Sequence, residues 1–379
     1  MSSQTATMAD DAAAAELRAE LRTVARDLLA ALPAHDAASD NAGWASLAEA
    51  GWLGLEVPEP LDGAGVGFAE TAVVCQELGR AAALAPYLGT AVLGAGALLA
   101  LAPSVTRDGA LQTLATGAPR LAVAVPTGDG VAGPAGDPPF RVTRRDGGWR
   151  VSGRADFVPD VVGADRLLLL AAVDDGEPAV VMVEPGQPGL DLADRPVLDI
   201  SRGLGTVTAR DVAVGEVARF AGDGHATARW LLARGALALA FDSLGVAEAM
   251  LDTTVAYVGV RHQFGRAIGS FQAVKHGCAD MLIRVSVGRA LVAEAAGALA
   301  AVEPDARDGL DAAEVAVSRA KSYVCETAVD VVGKAMQLHG GIGYTWESGV
   351  HRYLKRAALN RALFGSPTAH RARLVRRFA

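Results

Sequence analysis

RHQFGRAIGSFQAVKHGCADM, residues 261–281 of a 379-residue chain, decides how the rest is read. A long apolar helical run ends just before it, Gly265 and Gly269 interrupt it, and helical periodicity resumes at Phe271. A break between two helices leaves backbone N–H groups open at the start of the second, where an anion is favoured. Arg261 and the ring of Phe264 stand beside that break, a combination suited to gripping a nucleotide.

Working outward, residues 10–32 carry an amphipathic helical pattern, a second helix includes Trp44 and Glu49, and a Gly- and Pro-rich loop leads into a helix near Phe68. The character changes near Pro119. From there to about residue 214 short apolar runs alternate with Asp and Gly turns, including one at 146–148, as in an all-β unit of about a hundred residues. From Gly222 helices return: one ends near Val260, one starts near Phe271 and one covers about 311–338, lengths that suggest an up-and-down bundle. The expected units are residues 1–118, 119–221 and 222–379.

Composition narrows the function. Hydrophobic residues make up 51% and the formal net charge is -8, so nucleic acid, whose binding needs clustered cations, is excluded as a partner. Three cysteines, Cys75, Cys278 and Cys325, show no paired spacing, which points to reduced thiols and a cytoplasmic protein, with no metal site. The first residues are small and acidic, unlike a signal peptide. The apolar stretches 86–103 and 230–250 fall short of a clean membrane span and read as buried core helices.

Two motifs carry a family resemblance. RxxFGRxIxxFQ followed by ADM, together with QLHGGIGYT at 337–345, resembles the acyl-CoA dehydrogenase flavoproteins, and GWLGLEVPEPLDGAGVGFAET with QELGRAAALAPY extends the likeness to the N-terminal region. The resemblance implies an α+β multidomain fold: a helical N-terminal domain, a β-barrel-like middle domain and a C-terminal up-and-down four-helix bundle. It implies FAD shared across a subunit interface, with an acyl-CoA substrate and an electron-transfer flavoprotein as acceptor. Arg261 and Phe264 stand where the family contacts pyrophosphate and adenine, and Ile268, Phe271 and Gln272 where it lines the adenosine. Gln337, Gly340 and Gly341 stand where a second loop closes over the nucleotide.

The other half of that site departs from the pattern. The family's flavin-ring loop is replaced by VPTGDGVAGPAGD at 125–137, with Pro126 and Thr127 its nearest echoes, and GxKxWITN is replaced by GRADFVPD, in which Phe157 reads first as a core residue. The family's catalytic glutamate falls in LFGS, residues 363–366, and its alternative position on the long helix falls on Gly235. Neither supplies a carboxylate.

Asp242, seven residues beyond Gly235 and so on the same helix face, is the remaining candidate base. Its small apolar neighbours would strip its hydration and raise its pKa; the competing expectation is a buried ion pair with Arg234 or an arginine of another helix. Residues 352–377 hold eight Lys or Arg and no acid, a solvated face or a phosphate- or partner-binding surface. The pattern is similar to the base-deficient chain of actinobacterial steroid side-chain acyl-CoA dehydrogenases, which are heterotetramers of unlike chains. That reading makes this chain the donor of the ADP-binding half of a FAD site. The alternatives are a homotetrameric dehydrogenase using Asp242, and a structural subunit that binds no flavin.

Overall fold

The computed structural model describes residues 2–31, 39–129, 137–145, 147–304 and 307–378. Helices α1 (Ser2–Ala31), α2 (Ser39–Glu49), α3 (Phe68–Ala81), α4 (Ala95–Leu99) and α5 (Val105–Ala115) form the N-terminal unit. A π-helical segment, Leu88–Gly94, runs straight into α4, so the stretch that mimics a membrane span is a core helix with every residue of Leu88–Gly94 buried. The first helix begins well before the expected residue 10.

The middle unit is one eight-stranded sheet. Its strands are β1 (Leu121–Ala124), β2 (Phe140–Arg145), β3 (Gly148–Pro159), β4 (Arg166–Ala172), β5 (Pro178–Val183), β6 (Leu190–Asp194), β7 (Leu204–Val214) and β8 (Ala218–Arg219). The path is β6-β7-β3-β2-β4-β5-β8, with β1 beside β4. β6 and β8 were not anticipated, because both are short and half-exposed. Asp146, expected in a turn, lies outside the described residues. RLLLLAA in β4 reads as an unbroken apolar run because both its faces are covered. Leu167 and Leu169 face a core internal to the sheet, while Leu168 and Leu170 face the helices.

The C-terminal unit is built on α6 (Gly224–Val260), α7 (Gln272–Ala300), α8 (Leu310–His339), α9 (Val350–Ala362) and α10 (Pro367–Phe378). α6 starts cleanly because the Asp223 carboxylate accepts from the N–H of Ala226 at 2.9 Å. It is long and apolar enough to cross a membrane, yet its most apolar window is wholly buried within the protein. α3 crosses α6 at two glycines. A Cβ on Gly79 would sit 1.9 Å from the Asp242 carbonyl oxygen, and one on Gly245 would sit 1.8 Å from that of Gln76. Only glycine allows this approach. It places Asp242, midway along α6, at this close helix crossing, where it is buried.

Candidate nucleotide and acyl site

The nucleotide end is built where α6 stops. The Arg261 N–H still donates to Tyr257 at 2.9 Å, after which the chain leaves the helix and forms a small hairpin, β9 (His262–Gln263) with β10 (Arg266–Ala267). The turn sits on Phe264 and Gly265, at φ 53° and 75°. This left-handed pair projects the Phe264 ring outward, 90% exposed. The ring meets Phe271 edge-on at 6.1 Å, and the Arg266 guanidinium covers the Phe271 face at 3.9 Å. No side chain caps the start of α7, whose Val274 and Lys275 N–H groups donate to the Phe271 carbonyl at 3.1 and 3.0 Å.

The second loop approaches from the end of α8. His339 is buried and stacks on Tyr257 at 4.4 Å, and the Tyr257 hydroxyl donates to the His339 carbonyl at 3.3 Å. The stack brings the two motifs together at one end of the bundle. Arg261, Phe264, Gln272, Gln337, Gly340 and Gly341 are exposed there, with Ile268 and Phe271 half-buried. A Cβ on Gly340 or Gly341 would meet nothing within 4 Å, so this backbone is open to a ligand. A cation, an exposed ring, an uncapped helix start and a bare glycine pair fit the ADP portion of a dinucleotide.

The face toward the β domain is arranged differently. Phe157 is not a core residue. β3 shifts register between Ala155 and Val158, Phe157 takes φ 54°, and its ring is 48% exposed. Thr127 spends its hydroxyl on the Asp156 and Phe157 carbonyls at 3.2 and 3.3 Å, and its own carbonyl accepts from the Phe364 N–H at 2.6 Å. Residues 130–136 of the ring loop lie outside the described residues.

Phe364 is the residue that sequence reasoning passed over. It has φ 54° and is fully buried, and its ring lies 2.6 Å from where a Gly235 Cβ would stand. The two positions at which a base was sought are therefore in contact, and an aromatic ring fills the space between them. The loop is locked from beneath. Lys321 donates to the Asn360 and Gly365 carbonyls at 2.7 and 3.2 Å, and His370 bonds the Phe364 carbonyl at 2.8 Å through Nε2. Burial pushes the Lys321 ammonium down, and burial together with the Lys321 charge pushes His370 down to about 4.

Asp242 is buried, but its surroundings are not apolar. Arg356 donates to it through Nε at 2.9 Å and Nη2 at 2.5 Å, Arg202 through Nη2 at 3.2 Å, and Asn360 through Nδ2 at 2.6 Å. Burial alone would raise its pKa, but the Arg356 charge and hydrogen bonds, then Arg202 and Asn360, hold it below the usual carboxylate range. The raised pKa expected from its helix face is thus corrected: cations arrive from α9 and from the 195–203 loop, neither of which a single-helix projection includes. Arg234 is not the partner. It pairs with Glu56, donates to the Val92 carbonyl at 2.7 Å, and stacks against Phe68 and Trp230.

Arg356 and Asn360 stand four residues apart and so on one face of α9, a spacing that marks them as a pair. Arg356 also donates to the Ala83 carbonyl at 2.8 Å and to the Ser201 hydroxyl at 2.9 Å. The cavity left between this cluster and Cys75, Leu78, Tyr87 and Ala238 holds about 10 Å³, the lower limit for one water. The basic 352–377 segment is likewise largely paired within the chain: Arg371 with Glu326, Arg373 with Glu314 and Arg377 with Asp311.

Comparison with known proteins agrees with this architecture. The acyl-CoA dehydrogenase N-terminal domain model matches residues 6–118 and the acyl-CoA dehydrogenase C-terminal domain model matches residues 222–379. The acyl-CoA dehydrogenase FadE27 of Mycobacterium tuberculosis is 32% identical over 90% of this chain and 88% of its own. IpdE2 of Mycolicibacterium smegmatis, also an acyl-CoA dehydrogenase, is 31% identical over 87% and 86%. Among solved structures, the Tcur3481–Tcur3483 steroid ACAD superposes with a TM-score of 0.82 at 30% identity, over 95% of this chain and 97% of that one. The ChsE4–ChsE5 complex of Mycobacterium tuberculosis gives 0.82 at 28%, over 95% and 96%. With both domain models and full-length relatives matched, the chain belongs to the acyl-CoA dehydrogenase family.

Proposed function

We propose that this chain is one subunit of a heteromeric, FAD-dependent acyl-CoA dehydrogenase that desaturates an acyl thioester between its α and β carbons, and that it supplies the ADP-binding half of a flavin site completed by a homologous partner. The observation that carries the reading is the Phe364 ring seated on Gly235. It occupies the space where a base and the acyl α carbon would have to meet, while the nucleotide grip at the other end of the bundle stands open.

When bound, FAD supplies the acceptor for the β-hydride. Arg261 would pair with its diphosphate, Phe264 would contact the adenine, Phe271 would line the adenosine, and Gly340 and Gly341 would admit the nucleotide against the backbone. The partner is supported by apolar surface flanking this grip: Val260, Leu282, Ile283, Ile342, Tyr344 and Trp346 are all between 47% and 75% exposed. The ChsE4–ChsE5 complex is a precedent for an unlike partner. An electron-transfer flavoprotein as acceptor and a cytoplasmic setting belong to the same proposal, the latter supported by three unpaired cysteines.

The test is the flavin-to-chain ratio of the protein purified alone and after co-expression with an acyl-CoA dehydrogenase-like chain encoded beside it. One flavin per pair, with little on this chain alone, is the expected result. A ratio near one for the chain alone, with turnover, would overturn the proposal in favour of a homo-oligomer.

A further inference from the structure

The two loops of the nucleotide grip are carried by different helices. Among the described residues no hydrogen bond runs directly between residues 261–272 and residues 340–345. Their spacing is therefore set beneath them, where the ends of α6 and α8 meet through Tyr257 and His339. The two rings lie 4.4 Å apart at 20° to each other, and the Tyr257 hydroxyl donates to the His339 carbonyl at 3.3 Å.

Each ring is tied to its own loop. The Tyr257 carbonyl accepts from the Arg261 N–H at 2.9 Å, and the Arg261 carbonyl accepts from the Ile268 N–H at 2.8 Å, so the Arg261 backbone is held on both sides. Gly269 rests against the same turn of α6, where a Cβ would come within 2.9 Å of the Val258 carbonyl oxygen. On α8, His339 is 6% exposed and its Nδ1 bonds the Ala335 carbonyl at 2.7 Å. A carbonyl only accepts, so Nδ1 carries the proton and the ring is oriented by its own helix. Gly340 follows directly, and Gly343 folds back so closely that a Cβ would lie 2.5 Å from the Met336 carbonyl oxygen.

We propose that Tyr257 and His339 are positioning residues for the dinucleotide: their stack fixes the distance between Arg261 and the Gly340–Gly341 backbone and acts on the ligand through those two groups. The inference rests on reading this end of the bundle as the ADP grip. A guanidinium and a backbone wall serve one ligand together when their spacing is held to within about 0.5 Å, so loss of the stack is read as lost FAD affinity.

Fluorescence titration of the flavin-depleted assembled enzyme with FAD tests this. Tyr257→Leu should weaken FAD about tenfold, and His339→Leu, which breaks the same stack from α8, should do the same if either variant alone fails to assemble. Tyr257→Phe, which keeps the ring, should stay within about threefold of the wild type. In an Arg261→Ala background Tyr257→Leu should cost less than about threefold, because the contact it positions is already gone, whereas a role in general stability would leave the tenfold loss intact. Wild-type affinity in both leucine variants, Tyr257→Phe as weak as Tyr257→Leu, or an undiminished loss in the Arg261→Ala background would overturn the proposal. If Arg261→Ala itself binds FAD as the wild type does, the ADP reading fails and the proposal falls with it.

Discussion

Replacing Asp242 by asparagine separates a structural anchor from a catalytic base. The carboxylate is 3% exposed and accepts from Arg356, Arg202 and Asn360. The substitution keeps the volume but removes the carboxylate charge that two buried guanidinium groups bond, leaving Arg356 only the more distant Asp199 and Asp160. Removing one partner of a buried pair costs about 3–5 kcal/mol. For a cooperative unit of about 150–250 residues, 3 kcal/mol lowers the melting temperature by about 6–12 °C.

The pH dependence has a defined sign. The folded pKa of Asp242 lies below its unfolded value of about 3.9. Its contribution is therefore present above about pH 4 and is lost as pH falls through the lower folded value, and Asp242→Asn should lack this acid-side loss. Calorimetric melts of wild type and variant between pH 3 and 7 measure both effects. Pairing the variant with Arg356→Gln should cost less than the sum of the two single changes, since the two groups are in contact. A destabilisation below about 1 kcal/mol, or lost turnover of the assembled enzyme at unchanged melting temperature, would refute the anchor and restore Asp242 as a base.

Arg261→Ala should weaken FAD binding by the assembled enzyme about tenfold to a hundredfold, the worth of a charge-assisted contact, in a fluorescence titration. Gly235→Ala should destabilise by about 1–3 kcal/mol in thermal unfolding, because the added Cβ would lie 2.6 Å from the fully buried Phe364 ring. His370, held neutral at about 4 in the fold against an ordinary 6.5, contributes stability that is present above about pH 6.5 and lost as pH falls toward 4. His370→Gln should flatten that part of the stability–pH curve, whose full height is about 3 kcal/mol.

Much of the fold was legible because α6, α7 and α8 are long and uninterrupted, and because a run such as RLLLLAA can be little else than a strand covered on both sides. The hairpin inside residues 262–267 was not, since two-residue strands leave no periodicity to read. The Asp242 environment was misjudged for a different reason. Projecting one helix identifies the neighbours supplied by α6 itself, all small, but Arg202 arrives from a loop forty residues earlier and Arg356 from a helix more than a hundred residues later. Phe157 was misplaced because alternation along β3 points it inward, and only the register shift before Val158 turns it out.

The buried charges and the open grip follow from one arrangement. α3 approaches α6 at Gly79 and Gly245 so closely that little room remains around Asp242, and a bare carboxylate there would be costly. The Arg356 and Arg202 guanidiniums neutralise it, and in doing so they hold α9 and the 195–203 loop against α6. With α9 fixed, Lys321 and His370 fix the loop that carries Phe364, and the ring closes the space over Gly235. α6 itself ends at Val260, where the chain turns into the exposed hairpin. It is the Phe364 ring, and not the ion-pair cluster, that covers Gly235, and the cluster acts on that ring only through the elements it holds in place.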